Sequence, residues 1–127
     1  PKVYWTDIGL WRHLSGQKEG LSGQAFENHV IGEIYKQIKT AMLAVEMFFY
    51  RTRSGMEVDL LLETSDGIIG IEVKSAKTGG LSDAKNLNSL AEHFKQKWLG
   101  GLVVYRGSEI VKLSDSVWAV PSYRLLS

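Results

Sequence analysis

Glu27, Asp59, Glu72 and Lys74 are the side chains of this sequence whose types suit joint chemistry. Two or three carboxylates supply the hard oxygen ligands that Mg²⁺ or Mn²⁺ takes. A cation held that way polarises a phosphate and lowers the pKa of a bound water, and a lysine beside it steadies the attacking hydroxide and the developing negative charge. The backbone carbonyl of Val73, between Glu72 and Lys74, offers a further ligand. The chemistry expected of the set is metal-assisted phosphodiester hydrolysis. Taken singly, each residue also has a structural role. Glu-x-Lys on a strand can be a solvated face, Asp59 can blunt a sheet edge, and Glu27 can complement a helix dipole. Their convergence is what points to a site, so the elements that carry them decide the matter.

Two apolar runs, "MEVDLLLE" (56–63) and "IIGIEVKSA" (68–76), flank Asp66-Gly67, a strong hairpin signal. Strand side chains alternate faces. Alternation groups Val58, Leu60 and Leu62 against Glu57, Asp59, Leu61 and Glu63. On the second run it groups Ile69, Ile71 and Val73 against Ile68, Gly70, Glu72 and Lys74. A two-residue turn at Asp66-Gly67 sets Asp59 across from Lys74, with Glu72 diagonal; a four-residue loop sets Asp59 across from Glu72. Opposed residues point the same way in both registers, and only an odd slip would part them. A helix over 24–40 carries Glu27. At about 100° per residue, Glu27 falls in the middle of the apolar arc of Phe26, Val30, Ile31, Ile34, Tyr35 and Ile38. A carboxylate aimed there costs several kcal/mol unless a cation or donors meet it.

The rest of the chain supplies the frame. Residues 2–6 read as a strand, Asp7 caps a short helix over "IGLWRHL", and "SGQKEGLSG" (15–23) is a loop. "MFFYRTR" (47–53) is a strand ending at Ser54-Gly55. A helix over 83–97 precedes a buried strand, 99–107, and two short strands, "EIVKL" and "SVWAV", ended by Pro121. Helix, three-strand meander, helix and further strands make an α/β fold, a mixed sheet with helices on its faces. The 127 residues suit one domain, with residues 1–23 as an N-terminal strand, helix and loop before the main unit at 24–127. Net charge of +1 excludes a protein that coats nucleic acid by bulk charge, leaving only local patches. Absence of cysteine excludes disulfides and thiolate metal sites and fits a cytoplasmic setting. The most apolar window, "AMLAVEMFFY", is short and interrupted by Glu46, so no membrane span is expected. The opening "PKVYW" reads as the start of a fragment of a longer protein.

Asp59, twelve residues, then Glu72-Val73-Lys74, preceded by a helix bearing Glu27, resembles the PD-(D/E)XK nuclease superfamily. That resemblance covers about residues 24–105 and implies a restriction-endonuclease-like core of helix, three strands, helix and strand. More narrowly, "VYWTDIGLWRHL", "FENHVIGEI", "FYRTRSGMEVDLLLE" and "IEVKSAK" resemble the uncharacterised C-terminal domain that follows an AAA+ ATPase module in many prokaryotic proteins. This likeness spans most of the chain. It implies an N-terminal ATPase partner, while the superfamily resemblance implies Mg²⁺ or Mn²⁺ held by Glu27, Asp59, Glu72 and Val73, and DNA as substrate. No G-x-x-x-x-G-K-[ST] phosphate loop occurs, so no ATP site of that kind is expected in this chain. Two superfamily features are missing. Val58 stands where a proline precedes the first acid, and "NLNSLAEHF" has no Gln-x-x-x-Tyr.

Arg51, Arg53, Ser75 and Lys77 flank the expected site and could touch phosphates, contacts that position a strand without reading its sequence. His13, His29 and His93 lack metal-ligand spacing, and the four tryptophans are scattered as packing residues are. Two readings therefore stand: a Mg²⁺-dependent DNA endonuclease-like domain attached to an ATPase, or the same fold used without cleavage to bind nucleic acid or protein.

Overall fold

The computed structural model describes residues 2–5, 22–51, 57–77 and 84–126. Their elements are β1 (Lys2–Trp5), α1 (Ser22–Thr40), β2 (Glu46–Arg51), β3 (Glu57–Glu63), β4 (Ile68–Val73), α2 (Lys85–Phe94), β5 (Trp98–Tyr105), β6 (Val111–Ser114), β7 (Val117–Pro121) and α3 (Ser122–Leu126). The strands form a mixed sheet of order β1-β2-β3-β4-β5-β7-β6. β4–β5 and β5–β7 are parallel; the other neighbours are antiparallel. From α1 to β5 the order is helix, three strands, helix, strand, as the hydrophobic pattern requires.

Two apolar layers sandwich the sheet. On one face α1 lays Val30, Ile31, Ile34 and Ile38 over Met47, Leu60, Ile71, Val73 and Val104. On the other, α2 buries Leu87 and Leu90 among Val58, Leu61, Ile68, Val103, Val117 and Ala119. Each helix is amphipathic, and burying its stripe against a sheet face is what holds it. A Cβ on Gly70 would stand 2.7 Å from both Leu87 and Trp98, so the bare backbone there lets α2 and the start of β5 close onto β4.

The β3–β4 connection is a four-residue loop, since Glu63 pairs with Ile68. The two-residue register, with Asp59 opposite Lys74, is thereby replaced by the one that sets Asp59 against Glu72. Thr64 makes the difference. Its hydroxyl accepts from the Asp66 and Gly67 amides, and its own amide donates to the Gly67 carbonyl at 2.8 Å. Gly67, at φ +152°, supplies backbone freedom that a side chain would resist.

Other boundaries shift for local reasons. α1 starts at Ser22 rather than 24, because first-turn amides need no intrahelical partner. α2 stops at Phe94, since Lys95 turns to φ 52° and opens a 3-10 turn over Lys95–Lys97. β4 ends at Val73, yet Lys74 N–H to Val104 O and Arg106 N–H to Ala76 O carry the contact with β5 onward. Pro121 closes β7, and the chain then turns into α3, which the sequence reading lacked. The expected helix after Asp7, most of the 15–23 loop and the Ser54-Gly55 turn lie outside the described residues.

Candidate active site where the β3–β4 ladder stops

β2 and β3 do not pair evenly. Phe48 faces Leu61 and Tyr50 faces Val58, so Asp59 and Leu60 together oppose the single residue Phe49. One extra residue in β3 makes this a β-bulge, which breaks alternation and re-aims a side chain. The consequence is visible in the cores: Val58 packs with Leu61 on the α2 face, while Leu60 and Leu62 pack on the α1 face. The expected grouping of Val58 with Leu60 and Leu62 is therefore wrong, because the odd slip that even pairing forbids occurs locally, at Asp59.

The bulge hands Asp59 to α1. Asp59 Oδ2 accepts the Val73 backbone N–H at 2.7 Å, and the carboxyl also shares a hydrogen bond with Glu27. Two carboxyl groups in hydrogen-bond contact need a proton between them. Burial is the largest influence on Asp59 and raises its pKa, with the charge of Glu27 next; the Val73 N–H opposes both, and the result is a pKa of about 7. Glu27, half-buried, is raised chiefly by burial. Its bond to Asp59 offsets part of that, while the charges of Glu72 and Glu57 add to the rise. Asp59 and Glu27 thus form a proton-sharing pair near neutral pH.

Glu72 joins from the other side. Ile71 and Val73 pack toward α1 and Gly70 toward α2, so alternation gives Glu72 the Gly70 face. It is partly buried, with Oε1 fully enclosed, and acts on Glu27 through its charge. The expectation that Asp59 and Glu72 share one face gives way to carboxylates meeting from two sides of the sheet where its ladder stops. Among the described residues, no three His, Asp or Glu side chains are arranged to hold a metal ion. The amide and carbonyl of one strand residue point to the same edge, and the Val73 amide meets Asp59. The Val73 carbonyl is accordingly turned toward β3.

Lys74 follows directly, exposed, with its amide fixed to Val104 O at 2.8 Å. Ser75 and Lys77 are exposed beyond it. Arg51 ends β2, its backbone paired with Glu57 and Lys2; its side chain and all of Arg53 lie outside the described residues. The sequence reading passed over Glu57, whose charge bears on both Glu27 and Asp59. Its position two residues before Asp59 was the available signal.

The family model described as a domain of unknown function, DUF4143, matches residues 22–125. The chain belongs to this family. The matched span includes α1, both hairpin strands and β5, hence every element that positions the carboxylates. Uncharacterised proteins of Mycobacterium tuberculosis (Rv2008c) and Mycobacterium bovis (Mb2031c) are each 28% identical to it over 134 residues. The alignments take in all of this chain but only 29% of each relative, so the chain spans less than a third of the length of these curated relatives. No solved structure matches. Among the described residues, no helix of this DUF4143 domain is long and apolar enough to cross a membrane.

Proposed function

We propose that this DUF4143 domain is a divalent-metal-dependent phosphodiester hydrolase of the PD-(D/E)XK type, acting on DNA in the cytoplasm as part of an ATPase-containing polypeptide. One observation carries the reading: Glu27 of α1 and Asp59 of β3 meet in a hydrogen bond, while Asp59 is tied to the amide between Glu72 and Lys74. A helix and a strand distant in sequence thus bring two carboxyl groups together, with the backbone next to Glu72 tied to them, and a buried carboxyl pair costs stability that packing alone would avoid. The element order from α1 to β5 also suits the nuclease core. Relatives more than three times as long leave room for an ATPase outside this span.

Mg²⁺ or Mn²⁺ would be held by the hard oxygens of Glu27 and Asp59, the pair already in contact, with Glu72 and the Val73 carbonyl as the further donors at the same strand end. When bound, such an ion supplies Lewis-acid polarisation of the phosphate and a more acidic water. The chain's own residues do the rest. As a cation binds, Asp59 would release to solvent the proton it shares with Glu27; the Val73 amide keeps Asp59 aimed, and Lys74 would stabilise negative charge developing on the phosphate. The test is Mn²⁺ calorimetry and a plasmid-nicking assay on the full-length chain. Metal heat and nicking, both weakened in Glu72→Ala, are expected; an intact protein that shows no metal heat and no nicking refutes the reading.

A second reading draws on a different observation. Asp59 already has the Val73 amide and Glu27 as partners, a polar network that suits a nuclease-type fold kept for binding without cleavage. DNA or protein binding that is indifferent to Mn²⁺ and survives Glu72→Ala would favour it.

A further inference from the structure

We propose that Arg106 is a phosphate-contact residue of this site, holding the sugar–phosphate backbone of the substrate beside the Glu27–Asp59 pair. The inference rests on the phosphodiesterase reading. Arg106 directly follows β5, at the carboxyl end of the parallel strands β4, β5 and β7. Ligands of sheets with parallel strands bind off these ends. Its amide donates to Ala76 O at 3.0 Å, which sets it beside the segment Lys74–Lys77. Its guanidinium lies 5.6 Å from the ring centroid of Phe26, the residue before Glu27. Arg106 thus reaches two of the segments that build the site, α1 through its side chain and the stretch after β4 through its backbone.

The placement is built rather than incidental. The turn after Arg106 is pinned by two tyrosines: the Tyr105 hydroxyl donates to Glu109 O, and the Tyr123 hydroxyl to Ser108 O at 3.1 Å. Tyr105 is itself buried in the core, so the turn is anchored to the sheet. The Phe26 ring holds the guanidinium by a cation–π contact, which uses none of the N–H donors of its fork. Among the described residues that fork meets no carboxylate, and Arg106 is exposed. A planar, pre-oriented guanidinium with open donors matches the geometry of a phosphodiester. Lys77, exposed on the neighbouring segment, extends the same positive rim.

The test measures binding of short labelled single-stranded and duplex DNA to the full-length protein in EDTA, where cleavage plays no part. Arg106→Gln is expected to weaken binding about tenfold at low salt and to lower the salt slope by about one. Arg106→Lys should keep the slope and lose less affinity. Lys36→Gln, whose parent lysine pairs with Glu33 on the exposed side of α1, should change neither. Melting temperatures equal to the parent's exclude loss through unfolding. Unchanged binding by both Arg106 variants, or no DNA binding by the parent, overturns the assignment. Mn²⁺ heat and nicking are read separately on the parent protein, so the phosphodiesterase reading can survive that result or fall without it.

Discussion

Asp59 Oδ2 accepts the Val73 amide at 2.7 Å, so a side chain of β3 satisfies a β4 backbone donor just past the last main-chain pair, Leu60 with Ile71. A buried amide left unpaired would cost about 1–3 kcal/mol, and the bulge at Asp59 and Leu60 would leave one. The same contact restrains Asp59 and fixes the backbone between Glu72 and Lys74. Structural repair and placement of the acid are one interaction.

Stability should fall as pH rises through neutrality. Asp59 has its pKa raised from 3.8 to about 7, so the folded state holds a proton that the unfolded chain releases. The contribution is full below pH about 4 and is lost as pH climbs through about 7. Three units correspond to roughly 4 kcal/mol. Urea titrations at pH 5 and pH 8 should show lower stability at the higher pH. Asp59→Asn keeps an acceptor for the Val73 amide and a donor for Glu27, so it should flatten that slope. A parent protein equally stable at both values contradicts the shared proton.

Gly70→Ala should destabilise the domain by about 1–3 kcal/mol. The new methyl would sit 2.7 Å from Leu87 and Trp98, and Leu87 is fully buried with little room to yield. Relief from the entropic cost of glycine in a strand returns part of this, about 0.5–1 kcal/mol. Melting temperature should drop while Mn²⁺ affinity stays near the parent value, because Gly70 packs toward α2 and the Glu27–Asp59 pair lies toward α1. A stabilised variant would mean the helix moves away freely.

Much of this was legible from residue order. The stripe of Val30, Ile31, Ile34 and Ile38 fixes the buried face of α1, and the misfit of Glu27 within that stripe marks its contact with Asp59. The bulge was not legible. "EVDLLLE" reads as an unbroken alternating strand, and the extra residue emerges only when β2 pairs with it, a non-local event. The register was open for a similar reason, since Asp66-Gly67 suits a tight turn until the Thr64 hydroxyl captures both amides. Arg106 escaped notice because its proximity to Phe26 depends on packing across elements about eighty residues apart in the chain.

Metal binding should release a proton, and the release should depend on pH in a definite sense. Below about pH 7 the Asp59 carboxyl is protonated and shared with Glu27, so a cation must displace that proton. Mn²⁺ calorimetry in buffers of different ionisation enthalpy should show nearly one proton released at pH 6 and little at pH 8. Affinity should rise over the same interval. Glu27→Gln removes the neighbouring charge that helps raise the Asp59 pKa. It should shift the proton-release midpoint to lower pH and weaken Mn²⁺ binding. Release that is constant across the interval would place the cation elsewhere.

Glu72 and Lys74 should separate binding from chemistry. Glu72 is partly enclosed and its charge already acts on Glu27, so Glu72→Ala removes the proposed ligand and a repulsive neighbour together. Mn²⁺ affinity should fall about tenfold or more, as loss of a carboxylate from a hard-cation site requires, and nicking should fall with it. Lys74 is exposed, and its backbone is held to Val104 whatever side chain it carries. Lys74→Ala should therefore bind Mn²⁺ as the parent does and fold as stably. Its nicking rate should drop on the order of a hundredfold, the scale of losing one group that stabilises transition-state charge. The pattern is specific to a catalytic lysine. A lysine serving only solubility would leave the rate unchanged, and one serving only as a counter-ion to the carboxylates would alter metal affinity when removed.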